Sequence, residues 1–396
     1  MSSSRGSRWN RLAASAASFV AFAGFTLVMP FLPLYFRELG VTDLGAIALW
    51  SGVSLGITPA MTAVLAPLWG RLADRFGLKI MVERSLVSFV IIMAATAYAT
   101  RAWHVFALRT IQGLFAGFGA LTVTMAAESA PRDELAASIG HVQIAQRLGP
   151  ALGPVIGGLL AQLVGLRRAF LVAAAFYAIA FLLVLFLYRD EPSAARRADE
   201  HGPSRVTVRS VLRLPNFLLL MAAVFLLQYL DRTFGPILPL YIAQLGTPIA
   251  RVPLVAGAIY SIAAGAAALG HHQSSRLLAR APARGVIIAS VATSGCGMLI
   301  VGLAPTVSLL MAGTAIFGVA TGVAMTAVYA AGGAVIPPGA RGVGFGVLTT
   351  ASLSGIALSP VFSGLLGAAS LRGVFLLNAV VMGALTWGVA RKMAPR

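Results

Sequence analysis

Residues 149–158 read Gly-Pro-Ala-Leu-Gly-Pro-Val-Ile-Gly-Gly and lie in an apolar segment long enough to cross a bilayer. Glycine and proline at this density destabilise a helix in water, because glycine loses backbone entropy and proline removes a hydrogen-bond donor and clashes with the preceding turn. In a membrane, small residues let helix backbones approach closely, and neighbouring helices satisfy the freed backbone groups. The stretch therefore predicts a transmembrane helix that packs closely against a partner helix and bends there.

The composition places the whole chain in the membrane. Hydrophobic residues make up 58% of the 396 residues and charged residues only 11%, whereas soluble domains are about a quarter charged. The single cysteine, Cys296, lies in an apolar segment, so the sequence contains no disulfide framework and says nothing about the redox compartment. We expect an all-α polytopic membrane protein whose first apolar segment is retained as a helix rather than cleaved as a signal peptide.

The apolar segments and the charges between them predict the topology. Of the 30 Lys and Arg residues, 21 fall in loops or at span ends on the side of the N-terminus, 6 fall in loops or at span ends on the other side, and Arg109, Arg147 and Arg232 lie deeper within spans. This bias places both termini in the cytoplasm and explains the net charge of +18 without a nucleic-acid partner. The twelve predicted spans are 12–36, 47–69, 80–100, 103–127, 138–162, 168–188, 215–241, 251–272, 285–304, 307–330, 342–367 and 372–390.

The chain contains an internal repeat. A polar segment, residues 189–214, separates a first six-helix half, residues 1–188, from a second half, residues 215–396. Repeated six-helix halves are typical of carriers that work by alternating access, with substrate bound between the halves. Three sets of residues recur at a nearly constant offset along the chain. Residues 30–35 (PFLPLY) recur as 236–241 (PILPLY), and residues 149–158 align with 355–364, both at an offset of 206. Gly113 and Gly117 align with Gly318 and Gly322 at an offset of 205.

Three motifs give the chain a resemblance to a known family. Residues 70–79, GRLADRFGLK, are similar to the loop signature G-x-L-a-D-r-x-G-r-k of the major facilitator superfamily, with Leu78 in a usually basic position. Arg109 and Gly113 resemble its R-x-x-x-G motif. The pattern G-x8-G-x3-G-P-x2-G-G of proton-coupled exporters is matched at Gly140, Gly149, Gly153, Pro154, Gly157 and Gly158. The chain resembles twelve-helix drug:proton antiporters over nearly its whole length, and bacterial multidrug efflux proteins most closely.

The resemblance implies a gating role for the loop motif, which comprises Gly70, Asp74, Arg75, Gly77 and Lys79. Asp74 would complement the positive N-terminal end of the eleventh helix, near residue 342, when the cytoplasmic side is closed. Arg75 and Lys79 would hold the loop through carboxylates or lipid phosphates. The alternative is a basic loop that only sets topology. The equivalent loop of the second half has Ala279 in place of the acid, so the contact is expected on one side only.

Charged residues within spans are candidates for proton coupling, because burying a charge in a membrane is costly. The resemblance implies this role for Arg109, which could instead be a structural cation bonded to backbone carbonyls. Asp231 is the only carboxylate deep in a predicted span, and our hypothesis is that it is the principal proton-coupling acid. The alternative is a buried Asp–Arg pair that holds helices together. Arg232 points about 100° away from Asp231 on a helix, so it need not neutralise it, and Arg147 is a second possible partner.

The predicted function is proton-coupled export of small amphipathic, often cationic, drugs across the bacterial inner membrane by a monomer. The alternative is a proton-coupled carrier for one metabolite, such as a sugar or an amino acid. The sequence contains no P-loop for ATP and no nucleophile–base arrangement, so neither an enzyme nor a cofactor is expected. His271 and His272 lack further ligands for a metal. Flexible and aromatic side chains suit varied ligands, and the candidates for substrate contact are Phe25, Met29, Phe115, Phe118, Tyr229, Phe234 and Phe317.

Overall fold

The computed structural model describes residues 2–129, 135–189, 208–337 and 340–393. In these ranges the chain is helical, with no strand, as predicted. The helices are α1 Ser2–Leu27, α2 Leu32–Glu38, α3 Leu44–Phe76, α4 Leu78–Ala97, α5 Ala102–Leu114, α6 Phe118–Glu128, α7 Leu135–Val164, α8 Leu166–Leu187, α9 Val208–Leu212, α10 Phe217–Arg232, α11 Phe234–Gln244, α12 Val252–Arg280, α13 Ala283–Leu303, α14 Val307–Val335, α15 Arg341–Ala369 and α16 Leu371–Lys392.

The predicted spans are confirmed as helices. Eleven helical segments of the described chain are long and apolar enough to cross a membrane, and α1 with α2 forms a twelfth, bent by 48°. The bend falls at Pro30, which lacks the backbone N–H of a continuing helix and disfavours helical geometry in the residue before it. In the second half the equivalent segment Phe217–Gln244 counts as one span, although it carries Pro236 and Pro239.

The chain divides into two compact units. Unit 1 comprises residues 1–41, 57–200 and 249–261, and unit 2 comprises residues 42–56, 201–248 and 262–396. The first part of α3 therefore belongs to unit 2, and the first part of α12 belongs to unit 1. The predicted boundary at 189–214 stays a prediction, and residues 190–207 of that linker lie outside the described residues.

A buried tyrosine ties together the end of the first span in unit 1. The Tyr35 hydroxyl donates to the carbonyl oxygen of Thr96 at 2.7 Å, and its ring centroid lies 4.8 Å from that of Phe170. The guanidinium of Arg167 lies 5.9 Å from the same ring. These contacts join α2 to α4 and α8.

Unit 2 has the equivalent tyrosine. The Tyr241 hydroxyl donates to the carbonyl oxygen of Val301 at 3.0 Å, its ring lies 5.6 Å from that of Phe375, and Arg372 lies 5.9 Å from the ring. Tyr241 follows Tyr35 by 206 residues, and the arginine and phenylalanine follow their counterparts by 205. The repeat found in the sequence therefore extends to side-chain contacts in the core of each unit.

Candidate functional site

Three glycines of the predicted antiporter pattern bring α7 against the backbone of α1. A Cβ at Gly149 would lie 2.7 Å from the backbone nitrogen of Ala23. A Cβ at Gly153 would overlap the Ala23 carbonyl, and one at Gly157 would overlap the carbonyl of Leu27. Because these glycines are four residues apart, they form one stripe along α7. The predicted close approach of this helix to a partner helix is therefore present, and the partner is α1.

The last glycine of the pattern faces a different helix of unit 1. A Cβ at Gly158 would overlap the carbonyl of Pro253 at the start of α12, and a Cβ at Gly257 would overlap the carbonyl of Pro154. The two glycines thus contact each other's helices reciprocally. At Gly140, by contrast, a Cβ would have no atom of the described residues within 4 Å, so the first glycine of the pattern makes no close contact with the part of the chain that the structure describes.

Unit 2 repeats the reciprocal contact. A Cβ at Gly52 of α3 would overlap the carbonyl of Pro360 in α15, and a Cβ at Gly364 would lie 2.5 Å from the carbonyl oxygen of Ala48. Pro360 and Gly364 follow Pro154 and Gly158 by 206 residues. Glycine in the middle of a helix costs about 0.5–1 kcal/mol relative to alanine. Glycine nevertheless occupies both Gly158 and Gly364, which indicates that the close approach of the helices stabilises the protein by more than this cost.

The loop motif is described in part. Gly77 precedes α4 with φ of +94°, a conformation that favours glycine. Lys79 donates to the carbonyl oxygens of Leu185 and Tyr188 at 3.0 and 2.8 Å, which places a cation at the C-terminal end of α8. The exposed Arg75 stacks on its neighbour Phe76.

The acid of the motif is not described. Gly70 and Asp74 lie in α3, but their surroundings fall outside the described residues, as do the side chains at 341–342. The contact of Asp74 with the start of the eleventh span, α15, stays a prediction.

Arg109 is a buried cation with few partners. It is 3% exposed, and its Nη1 donates to Oε1 of Gln112 at 2.9 Å. Its Nε and Nη2, the Gln112 amide nitrogen and the hydroxyl of the fully buried Tyr177 have no hydrogen-bond partner within the described residues. Tyr177 is close enough to interact electrostatically with the guanidinium. A buried charge without a counter-charge costs several kcal/mol, so this arrangement fits a functional cation better than one satisfied by backbone carbonyls.

Asp231 is partly exposed and paired. Its side chain is 40% exposed, and its Oδ2 lies 3.4 Å from Nε of Arg232. The angle between neighbouring side chains suggested that Arg232 need not neutralise Asp231, but the long arginine side chain reaches back around the helix. Of the two arginines considered, Arg232 is therefore the partner in this structure, and Arg147 is exposed on α7.

The candidate substrate contacts fall into two groups. Phe25, Met29 and Tyr229 are partly exposed, and Phe115 is exposed. The other three, Phe118, Phe234 and Phe317, are buried in helix packing; for example, the rings of Phe234 and Phe317 lie 5.6 Å apart. In this arrangement the buried three belong to the core of their units, and substrate contact by them stays a prediction that their burial disfavours.

Sequence reasoning missed a polar cluster at the end of α5. The indole nitrogen of Trp69 donates to the carbonyl oxygen of Leu114 at 2.8 Å, and Arg84 donates to that of Phe115 at 3.0 Å while lying 3.5 Å from the Trp69 ring centroid. These donors satisfy the last carbonyl oxygens of α5, which have no partner within the helix. Helix α5 ends here because Gly117, with φ of +124°, separates it from α6. The sequence offered one signal of this cluster, since Arg84 lies within a predicted apolar span.

These features define a class of protein. The described residues contain eleven or twelve helices long and apolar enough to cross a membrane, two repeats with equivalent cores and glycine-packed helix pairs. This is the architecture of a multi-pass membrane transporter. The chain belongs to the Major Facilitator Superfamily, whose sequence profile matches residues 14–285 and 223–395.

Curated relatives are bacterial proteins. Over 244 residues the chain is 34% identical to the multidrug resistance protein MdtG of Proteus mirabilis, covering 62% of this chain and 60% of that protein. Over 263 residues it is 35% identical to MdtG of Citrobacter koseri, covering 65% and 64%. The chain thus spans less than two thirds of the length of the relatives it matches.

Solved structures share the fold. A bacterial homologue of the human lysosomal transporter Spinster, in an inward-facing and occupied conformation, matches with a TM-score of 0.79 at 15% identity, covering 97% of this chain and 96% of that chain. The nucleoside transporter NupG matches with a TM-score of 0.76 at 16% identity, covering 98% and 100%. The relatives and the fold are those of transporters.

Proposed function

We propose that this protein exports small amphipathic drugs across the bacterial inner membrane in exchange for protons. The observation that carries the proposal is the antiporter glycine pattern, of which four of five glycines form backbone contacts with α1 or α12. Similarity to MdtG multidrug resistance proteins supports drugs as the substrates. Both termini lie in the cytoplasm, the proton gradient supplies the energy, and no cofactor is needed.

Proton coupling uses the charged residues within the spans. Asp231 is accessible enough to exchange a proton, since two fifths of its side chain is exposed, and its pairing with Arg232 supplies a contact that protonation would break. Arg109 offers unpaired donors that an anion or an ionised group can neutralise in one step of the cycle. Arg147, exposed on α7, is the third charged residue of the spans proposed to take part in proton coupling.

Drug binding uses partly exposed aromatic and thioether side chains. Phe25 and Met29 in the first span, Phe115 in the fourth and Tyr229 in the seventh keep exposed surface. Such surfaces re-pack around ligands of different shape. A single carboxylate, Asp231, attracts a cationic drug by the same charge that binds a proton, so drug and proton compete and exchange follows.

A drug-susceptibility panel tests the proposal. The intact chain, Asp231→Asn and Glu38→Gln are expressed in an efflux-deficient bacterium and compared at equal membrane levels, with and without a protonophore. We expect the intact chain to raise the inhibitory concentration of several cationic drugs, and the protonophore to abolish this protection. Asp231→Asn should lose proton-driven efflux, whereas Glu38→Gln, at an exposed helix end, should retain it.

Two results would contradict different parts of the proposal. Full efflux with unchanged pH dependence in Asp231→Asn would remove Asp231 from proton coupling but leave drug export standing. No protection against any drug, together with export of one sugar or amino acid, would replace multidrug export by a carrier for a single metabolite.

A further inference from the structure

A groove of about 660 Å³ opens on the surface of unit 2. The helix α14 forms its floor through small and branched residues such as Ala315, Val319 and Val323, and α12 and α13 form its walls. The walls approach the floor closely because Gly270 and Gly297 place their Cα atoms against the backbone of α14. The lining is apolar apart from the hydroxyls of Ser290 and Thr293.

One end of the groove, called here the interface end, lies at the turn between α12 and α13. Ala281 of this turn and Leu277, one turn earlier, belong to the lining. From Gly285 to Thr293 the wall formed by α13 extends over about 12 Å at the rise of an α-helix. One leaflet contributes about 15 Å of hydrocarbon, so the groove extends from the membrane interface towards the bilayer centre.

Three arginines each precede a residue that lines this end of the groove. Arg276 and Arg280 of α12 come before Leu277 and Ala281 in the chain, and both side chains are exposed and make no ion pair or hydrogen bond within the described residues. Arg284 lies beside Gly285 and donates to the carbonyl oxygen of Ala390 in α16. Two exposed arginines without an ion pair or hydrogen bond among the described residues therefore lie on α12 at the level of the interface end of an apolar groove.

We propose that this groove binds an anionic glycerophospholipid, with an acyl chain against α14 and the phosphate at Arg276 and Arg280. The apolar lining excludes a polar occupant from the membrane side, and the positive charge of the arginines on α12 near the interface end favours a negative headgroup. Basic sites between transmembrane helices bind anionic headgroups in this way, and arginine matches phosphate geometry with two parallel hydrogen bonds. The proposal does not depend on the transported substrate or on proton coupling.

The test measures lipid-dependent stability of the purified protein in detergent. The melting temperature is titrated with phosphatidylglycerol and with phosphatidylcholine of the same acyl chains. We expect phosphatidylglycerol to raise the melting temperature at lower concentration than phosphatidylcholine. The double variant Arg276→Gln/Arg280→Gln should weaken the apparent affinity for phosphatidylglycerol roughly thirtyfold, since each arginine near a membrane surface contributes about 1 kcal/mol to binding anionic lipid.

Two matched controls separate the groove from general effects. Arg209→Gln/Arg213→Gln removes two exposed arginines at the same spacing in unit 2 and should leave the lipid response unchanged. Gly285→Leu fills the groove, because no atom lies within 4 Å of a Cβ at this position. Gly383→Leu on α16 adds the same side chain at a position that is equally open but outside the groove. Only Gly285→Leu should weaken stabilisation by phosphatidylglycerol.

Three results would overturn the proposal. Equal stabilisation by the two lipids would make the groove an ordinary contact with the bilayer. An affinity for phosphatidylglycerol within twofold of the unmodified protein in Arg276→Gln/Arg280→Gln would exclude the arginines as the headgroup site. An unchanged lipid response in Gly285→Leu would place the lipid elsewhere. If the chain gives no drug protection in the susceptibility panel while these lipid responses are observed, the proposed drug export is wrong and the lipid site stands.

Discussion

Replacing Gly157 by alanine should push α7 away from α1. The added methyl group would overlap the carbonyl oxygen, carbonyl carbon and Cα of Leu27, and all three are backbone atoms that cannot rotate aside as a flexible side chain can. Overpacking of this kind costs about 1–3 kcal/mol. Alanine recovers about 0.5–1 kcal/mol of helix propensity over glycine, so we expect a net loss of about 1–2 kcal/mol in the free energy of unfolding.

Gly140 supplies the matched control, since it lies on the same helix and in the same sequence pattern. Among the described residues no atom lies within 4 Å of a Cβ at this position, so Gly140→Ala should only gain helix propensity. Because both variants gain the same helix propensity, they should differ by the overpacking cost alone, about 1–3 kcal/mol, or on the order of 5 °C in melting temperature for a unit of this size. Thermal unfolding of the purified variants in detergent measures this difference, and drug efflux reports its consequence. Equal melting temperatures would refute the reasoning that backbone contact at Gly157 holds α1 and α7 together.

Two further predictions concern other contacts of the repeats. Gly153→Leu, whose side chain would overlap Thr26 and the Ala23 carbonyl, should abolish or uncouple transport without removing the protein from the membrane; near-normal efflux at equal membrane levels would contradict this. Tyr35→Phe and Tyr241→Phe should each lower the free energy of unfolding by about 0.5–1.5 kcal/mol, because each removes a buried hydrogen bond from the hydroxyl to a backbone carbonyl, which keeps its backbone donor. Similar losses of melting temperature in the two variants would confirm the equivalence of the two cores, and a loss in only one would contradict it.

The helices were predictable because the bilayer imposes one constraint on every span. A lipid-facing segment must be helical and about 20 residues long, so hydropathy alone located all twelve. The bend after α1 was implicit in Pro30, which cannot continue a helix. The repeat was visible as a constant offset, and its contacts at Tyr35 and Tyr241 follow from the same residues in the same places.

The candidate site was less predictable because side-chain directions depend on tertiary packing. Which face of a span meets its neighbours decides whether an aromatic residue is exposed, and Phe234 and Phe317 proved to be core residues. The pairing of Asp231 with Arg232 depends on the rotamer of a long side chain, which sequence spacing does not determine. The stacking of Arg84 on Trp69 joins residues of two helices whose contact no local pattern encodes.

The two repeats differ where serine replaces glycine, and the difference has a physical consequence. In unit 1, Gly153 lets α7 meet the backbone of α1 without a polar side chain of its own. In unit 2 the equivalent residue of α15 is Ser359, whose hydroxyl lies 3.3 Å from that of Thr233, which in turn accepts a hydrogen bond from the Asn378 amide at 3.1 Å.

Hydrogen bonds between helices in a membrane contribute about 0.6 kcal/mol each on average, and they must break before the helices slide. Contacts between a glycine and a backbone carbonyl carry no such directional requirement, although they demand a closer approach. We therefore expect the pair α1 and α7 to adjust its register more easily than α10 and α15. A carrier whose helices move during its cycle would then place the larger rearrangement in unit 1, at the stretch from Gly149 to Gly158.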